Sequence, residues 1–245
     1  MNNMKKELKE NTFLKGITDG IPICLGYLSV AFAFGIFTVS NGLTSAEAVL
    51  ISMTNVTSAG QLAAVPIMLS GGTLFELALS QFIINLRYAL MSVSLSQKLD
   101  KSVGLIDRFW IAFVNTDEVF AVASSKKEVS KGYMFGLILT PYIGWSAGTA
   151  LGAVAGNILP AIIISALGVA IYGMFIAIVV PPARENKSVL FCVVIAIVLS
   201  CIFKFVPVFS KVQSGFVIII CSIIASTLAA ILFPVDTEKE ERDEL

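Results

Sequence analysis

Runs of about twenty apolar residues, the length a helix needs to cross the hydrocarbon core of a bilayer, recur along this chain. "NILPAIIISALGVAIYGMFIAIVVPP" (157–182) and "SGFVIIICSIIASTLAAILFP" (214–234) carry no charge at all. Only 14% of the 245 residues are charged and 56% are hydrophobic, whereas a soluble domain carries roughly a quarter charged. Helices satisfy their own backbone hydrogen bonds in lipid. The expected fold is therefore an all-α polytopic membrane protein.

Eight apolar segments can be read, at 17–40, 46–70, 73–96, 108–124, 132–156, 158–182, 188–206 and 213–234. Their connections are short. This predicts a cytoplasmic N-terminal segment (1–16), one transmembrane domain (17–234) and an acidic cytoplasmic tail (235–245). The terminal "RDEL" reads as the end of that tail rather than a retention address. The start of the chain only loosely imitates a signal peptide, because Glu7 and Glu10 dilute its basic residues.

Lysine and arginine in short loops set orientation. Lys5, Lys6, Lys9 and Lys15 place the N-terminus in the cytoplasm, and Lys126, Lys127 and Lys131 mark a second cytoplasmic loop. Arg184 and Lys187 mark a third. Eight straight crossings would send Lys98, Lys101 and Arg108 outward. These three move inside if segments 46–70 and 108–124 are broken or re-entrant; both topologies keep the C-terminus inside.

Those two segments are also the most polar. "ISMTNVTSAGQLAAVPIML" (51–69) has a polar centre that lipid would not tolerate, and such a centre persists only against protein or a water-filled cavity. Ser58-Ala59-Gly60 is the expected break, since glycine accepts unusual backbone angles, with Asn55 and Gln61 beside it. "WIAFVNTDEVFAVAS" (110–124) carries Asn115, Thr116, Asp117 and Glu118 between apolar flanks. Acids at membrane depth act as proton carriers, ion ligands or partners of a basic group, unless they only lock packing.

In "SQFIINLRYALMSVS" (80–94), Gln81, Asn85, Tyr88 and Ser92 share one helix face. Glu76, Ser80, Arg87 and Ser94 share another. Arg87 lies deep enough to need a partner or water, and Asp117 or Glu118 is the natural one; the bland alternative is snorkelling to the headgroups. Gly144, Gly148, Gly152 and Gly156 form a small-residue strip suited to close helix packing.

Composition excludes much else. The chain has no histidine, which removes Ser-His hydrolysis and His-ligated metal sites. Cys24, Cys192, Cys201 and Cys221 lie in apolar runs without CxxC spacing and read as small buried hydrophobes. Net charge is zero, with no basic face for nucleic acid, and there is no G-x-x-x-x-G-K-[ST] loop for ATP. No cofactor is expected.

"TNVTSAGQLAAVPIML", "IINLRYALMSVSLSQKL" and "NTDEVFAVAS", in this order, resemble the AzlC-type branched-chain amino-acid permeases, the large subunit of a two-component bacterial exporter. "GIPICLGYLSVAFAFG" and "PYIGWSAGTALGA" extend the resemblance through nearly the whole chain. It implies a multi-pass transporter of the bacterial cytoplasmic membrane that moves branched-chain and similar apolar amino acids outward. It also implies a small AzlD-type membrane subunit encoded separately. The chain departs from many relatives at Ser58-Ala59-Gly60-Gln61-Leu62 and at Tyr88, where those relatives carry histidine.

The expected substrate site is Asn55, Ser58, Gly60, Gln61, Asn85, Arg87 and Asn115, with Asp117 and Glu118 as proton carriers. Arg87 or amides freed at the break would take a substrate carboxylate, and acid or asparagine oxygens its ammonium. Two other classes compete: an intramembrane enzyme using Asp117 and Glu118, and a non-transporting assembly subunit. The first lacks a histidine or GxSxG nucleophile, and the second leaves Arg87 and the acids without a use.

Overall fold

The computed structural model describes residues 12–160, 162–163, 173, 176, 179–209, 212 and 214–234. The predicted segment 158–182 lies largely outside the described residues, as do most of the N-terminal segment and the acidic tail.

The described residues are helical throughout, apart from loops and one isolated bridge between Leu99 and Val129. In chain order the helices are α1 (Phe13–Ser40), α2 (Ser45–Thr54), α3 (Ser58–Leu69), α4 (Leu74–Ser96) and α5 (Leu105–Phe113). They continue with α6 (Asp117–Ser124), α7 (Lys131–Ile158), α8 (Lys187–Phe205) and α9 (Ser214–Leu232), with a 3-10 turn at Pro207–Phe209. Among the described residues, α1, α4, α7, α8 and α9 are long and apolar enough to cross a membrane. α2, α3, α5 and α6 are too short to cross alone.

Polar side chains at the ends fix where these helices begin. Thr12 caps α1 by accepting from Lys15 N, and Ser130 caps α7 by accepting from Tyr133 N. Thr44 and Glu47 form a reciprocal capping box at the start of α2, which satisfies two otherwise orphaned donors. Gly42, with φ +97°, turns the chain after α1, a conformation that costs glycine little.

The chain divides into two compact units, residues 1–65 with 84–172 and residues 66–83 with 173–245. In the first, α1 and α7 run parallel in contact along their length. Gly20 lies against Thr140, Gly144 against Cys24, Gly148 against Leu28 and Gly152 against Phe32. A methyl group on Gly144 would come within 2.6 Å of the Cys24 carbonyl oxygen, and one on Gly148 within 2.5 Å of that of Leu28. The small-residue strip is thus a packing surface that lets two backbones touch. Asp19 accepts from Lys15 Nζ (2.5 Å) and Tyr133 Oη (2.8 Å), tying the starts of both helices together.

The basic loops gather at this same end. Asp100 N donates to Val129 O (3.0 Å) and Val129 N to Lys98 O (2.8 Å). Arg108 donates to Ser96 O (3.3 Å), Lys98 Nζ to Ser124 O, and Lys131 pairs with Asp107 (2.8 Å). The α5–α6 pair therefore returns to the end at which it starts. α2 starts at the other end, where Asn157 near the C-terminus of α7 donates to Ser45 Oγ (3.0 Å).

In the second unit α8 packs on α9, with Phe191 against Phe233 at 5.6 Å. Glu76, fully buried in the first turn of α4, accepts from Gly215 N at 2.9 Å.

Candidate functional site

Both polar segments are broken helices, but the first break is not at Ser58-Ala59-Gly60. It falls at Asn55–Thr57, and Ser58, Ala59 and Gly60 form the first turn of α3. Asn55 is extended (φ −137°, ψ 94°), Val56 inserts its side chain into the core, and Thr57 O accepts from Gln61 N (2.9 Å) to open α3. No positive φ is needed there, so the backbone angles do not demand glycine. Pro66 lies within α3 without ending it. The second break is at Val114–Thr116; Val114 enters the same core cluster as Val56, and Thr116 precedes α6 in extended conformation.

The two breaks meet beside the middle of α7. Tyr142 Oη donates to Met53 O (3.1 Å), and its ring stands 6.4 Å from that of Phe113. At 1.5 Å rise per residue, Tyr142 lies about 16 Å from one end of α7 and about 24 Å from the other. A cavity of about 210 Å³ lies between the breaks. Asn55, Thr57, Asn85, Tyr88, Asn115 and Thr116 supply its polar wall, and Val56, Ala112 and Phe113 the apolar part. The helix face that holds Asn85 and Tyr88 is thus the face turned to this space.

Two oxygens in the cavity wall stand out. Asn115, 3% exposed, donates its amide to Ser92 Oγ (3.2 Å), while its Oδ1 is buried without a hydrogen-bond partner. Thr116 Oγ1 is also buried, against the Tyr27 hydroxyl. It makes no cap bond, so the first amides of α6 receive no side-chain cap from it. A buried polar oxygen costs free energy unless it is paired, and a bound polar ligand would supply the pairing.

The acids separate as their adjacent positions require. Asp117 pairs with Arg87 at 2.7 Å, and both side chains remain about half exposed. Arg87 also donates to Tyr88 Oη (3.1 Å), which carries the ion pair to the cavity wall. Glu118 instead accepts from Tyr27 Oη, whose ring stacks edge-on against Trp145 at 5.1 Å.

Gln61 does not line the cavity. It is fully buried, donating to Ser52 Oγ (2.7 Å) and accepting from Trp145 Nε1 (2.9 Å). Ser52 is within 2.6 Å of Thr149 Oγ1, so one network joins α2, α3 and α7. Ser58 and Gly60, in the first turn of α3, are likewise outside the cavity wall. Tyr27, Trp145, Ser52 and Thr149 were not singled out from sequence. A hydroxyl or indole inside an apolar run was their only signal.

The family profile described as "AzlC protein" matches residues 22–159, more than half of the chain. The chain belongs to the AzlC family. It is 34% identical over 175 residues to an uncharacterized membrane protein of Archaeoglobus fulgidus, covering 71% of this chain and 77% of that one. It is 32% identical over 200 residues to the inner membrane protein YgaZ of Escherichia coli K12, covering 76% and 79%. A third relative is the branched-chain amino acid transport protein AzlC of Bacillus subtilis, 27% identical over 142 residues, covering 56% and 55%. No solved structure matches. With relatives named as membrane proteins and five candidate spans among the described residues, this AzlC-family chain is a multi-pass membrane protein.

Proposed function

We propose that the chain is a secondary transporter that exports branched-chain and similar apolar amino acids across the cytoplasmic membrane, with the cavity between the two helix breaks as its substrate site. The observation that carries this reading is the Asn115 oxygen, buried without a hydrogen-bond partner in the wall of the cavity between the two helix breaks. Transporters place substrates where interrupted helices expose backbone ends near the midplane. The uncapped first turn of α6 suits a carboxylate, Asn55, Asn85 and Asn115 oxygens suit an ammonium, and Val56 with Phe113 suits an aliphatic side chain.

The shared end of Lys15, Lys98, Arg108 and Lys131 supports a cytoplasmic placement for the starts of α1 and α7. Asp117 and Glu118 serve as the proton carriers in this reading, because no histidine is present to titrate near neutrality. A small AzlD-type subunit completes the exporter. Flux of labelled leucine from vesicles, with and without that subunit and with an imposed pH gradient, tests the reading. Expected is gradient-driven flux that Asp117→Asn or Glu118→Gln abolishes while exchange of labelled for unlabelled substrate survives. Flux that ignores the gradient and follows sodium would overturn proton coupling, and no amino-acid flux in either preparation would overturn the transport reading.

A further inference from the structure

A second cavity of about 220 Å³ lies on the basic-loop side of the first, and Ala112 and Asn115 line both. Its wall combines the Arg108 guanidinium with Ser92 and Ser96 hydroxyls and the apolar side chains of Leu95, Leu99 and Ile111. Arg108 belongs to the loop cluster, where it donates to Ser96 O. The two spaces share a wall at Ala112 and Asn115, and the Asn115 side chain is held there by its bond to Ser92 Oγ at 3.2 Å.

We infer that this second cavity is a vestibule for small aliphatic carboxylates, with Arg108 as its carboxylate anchor and the Asn115–Ser92 hydrogen bond as the gate to the central site. The chemistry follows from the wall. A guanidinium offers several donors to a carboxylate, the Ser92 hydroxyl adds one more, while that of Ser96 is spent on Val93 O, and the leucines and isoleucine take an apolar side chain. The gate is one neutral hydrogen bond, weak enough to open thermally. When it opens, the Asn115 amide loses Ser92 and becomes free to meet the arriving molecule alongside its already unpartnered Oδ1. Arg108 therefore concentrates anionic groups at the loop end, and Ser92 decides when they pass.

The amino-acid ligand rests on the transport reading above, whereas the cavity, its charge and its partition do not. The experiment accordingly reads accessibility, not transport. In a chain whose four cysteines are replaced, Ser96→Cys reports on the vestibule and Thr57→Cys, half-buried in the wall, on the central cavity. Two small thiol reagents of equal size, one a sulfonate and one a quaternary ammonium, are applied from the basic-loop side. Ser96→Cys should react with the sulfonate faster than with the cation by about tenfold, a typical focusing effect of one sign of charge in a cleft, and Arg108→Gln should erase the preference. Ser92→Ala should speed modification of Thr57→Cys about fivefold, the weight of one neutral hydrogen bond, while Ser92→Thr, which keeps the hydroxyl, should not. A Ser96→Cys chain inert to both reagents, a preference that survives Arg108→Gln, or a Thr57→Cys rate indifferent to Ser92→Ala overturns the vestibule and gate. If labelling behaves as expected but vesicles move no amino acid, the vestibule stands and the transport reading falls.

Discussion

The two broken helices look alike in sequence and differ in how their polar groups are used. Around the α2–α3 break, Gln61, Ser52, Thr149 and Trp145 bond to one another, and Thr57 Oγ1 reaches Asn55 Oδ1 at 3.1 Å. Around the α5–α6 break, Asn115 Oδ1 is buried without a hydrogen-bond partner, and Thr116 Oγ1 is buried against a Tyr27 hydroxyl already given to Glu118. A closed network lowers the energy of one arrangement and holds it. An open one leaves a cost that a ligand, a water molecule or a movement can relieve. In the proposed reading the first break is mainly scaffold, with Asn55 to Thr57 at the cavity wall, and the second is the face that meets substrate.

The sharpest way to break this comparison is to exchange an apolar side chain into each. Gln61→Leu strands the Trp145 indole N–H in the core and should destabilise the chain by about 2 kcal/mol, the cost of one buried unsatisfied donor. Asn115→Leu should change stability far less and should abolish substrate flux. Chemical unfolding in mixed micelles, set beside flux in vesicles, checks both. A stable Gln61→Leu protein with a collapsed Asn115→Leu would reverse the assignment of scaffold and site.

Next in size is the link between the second break and α4. Arg87→Gln and Asp117→Asn should each impair flux, and the double change should be milder than their sum by about 1–2 kcal/mol, as expected for charges in contact. The half exposure of both side chains keeps this coupling below that of a fully buried pair. Glu118→Gln combined with Arg87→Gln should show a smaller coupling, because Glu118 is bound to Tyr27 and reaches Arg87 only through its charge. Additivity for Asp117 would remove the ion pair from the site.

How much of this could be read from the chain follows the range of each interaction. Broken helices at 46–70 and 108–124 were legible, because polar centres inside apolar runs reflect local burial. The stripe of Asn85, Tyr88 and Ser92 was legible too, since helical period alone puts those residues on one face. The position of the first break was not. It depends on Val56 entering a core built with Val114 and Tyr27, whose positions in the chain are remote. Gln61 was assigned to the cavity because its neighbours are polar, whereas its bonds run to Ser52 and to Trp145, 84 residues away. No local pattern reports such a partner. The same holds for Glu118 and Tyr27, 91 residues apart.

A smaller effect sharpens the second break further. Thr116→Val keeps the volume of the side chain and removes a hydroxyl buried against that of Tyr27, which keeps its bond to Glu118. Stability should stay within about 0.5 kcal/mol of the parent, because the hydroxyl left behind is still paired. Apparent substrate affinity should nonetheless fall. By contrast Ser52→Ala, which breaks a closed network, should destabilise without changing affinity. If the two substitutions behave alike, the contrast between the breaks is lost.

The smallest effect concerns how the broken helices are anchored at their ends. α2 is tied to α7 by the neutral bond between Ser45 and Asn157, and α5 is tied to α7 by the charged pair of Asp107 and Lys131. The hydrogen bond from Lys131, with a second from Gly104 N, holds the Asp107 carboxyl below its ordinary value of 3.8. A carboxyl depressed in the folded chain contributes its stability fully above the unfolded value, and that contribution disappears as pH falls through the folded one. Lys131→Met should therefore lower thermal stability modestly at neutral pH, and its gap from the parent should close as pH drops below 3.8. Ser45→Ala should show a gap of similar size that does not change with pH, because neither partner titrates. Melting of both variants in detergent across that window makes the comparison. A pH-independent gap for Lys131→Met would mean that lysine packing, not charge, fastens the α5–α6 hairpin to α7.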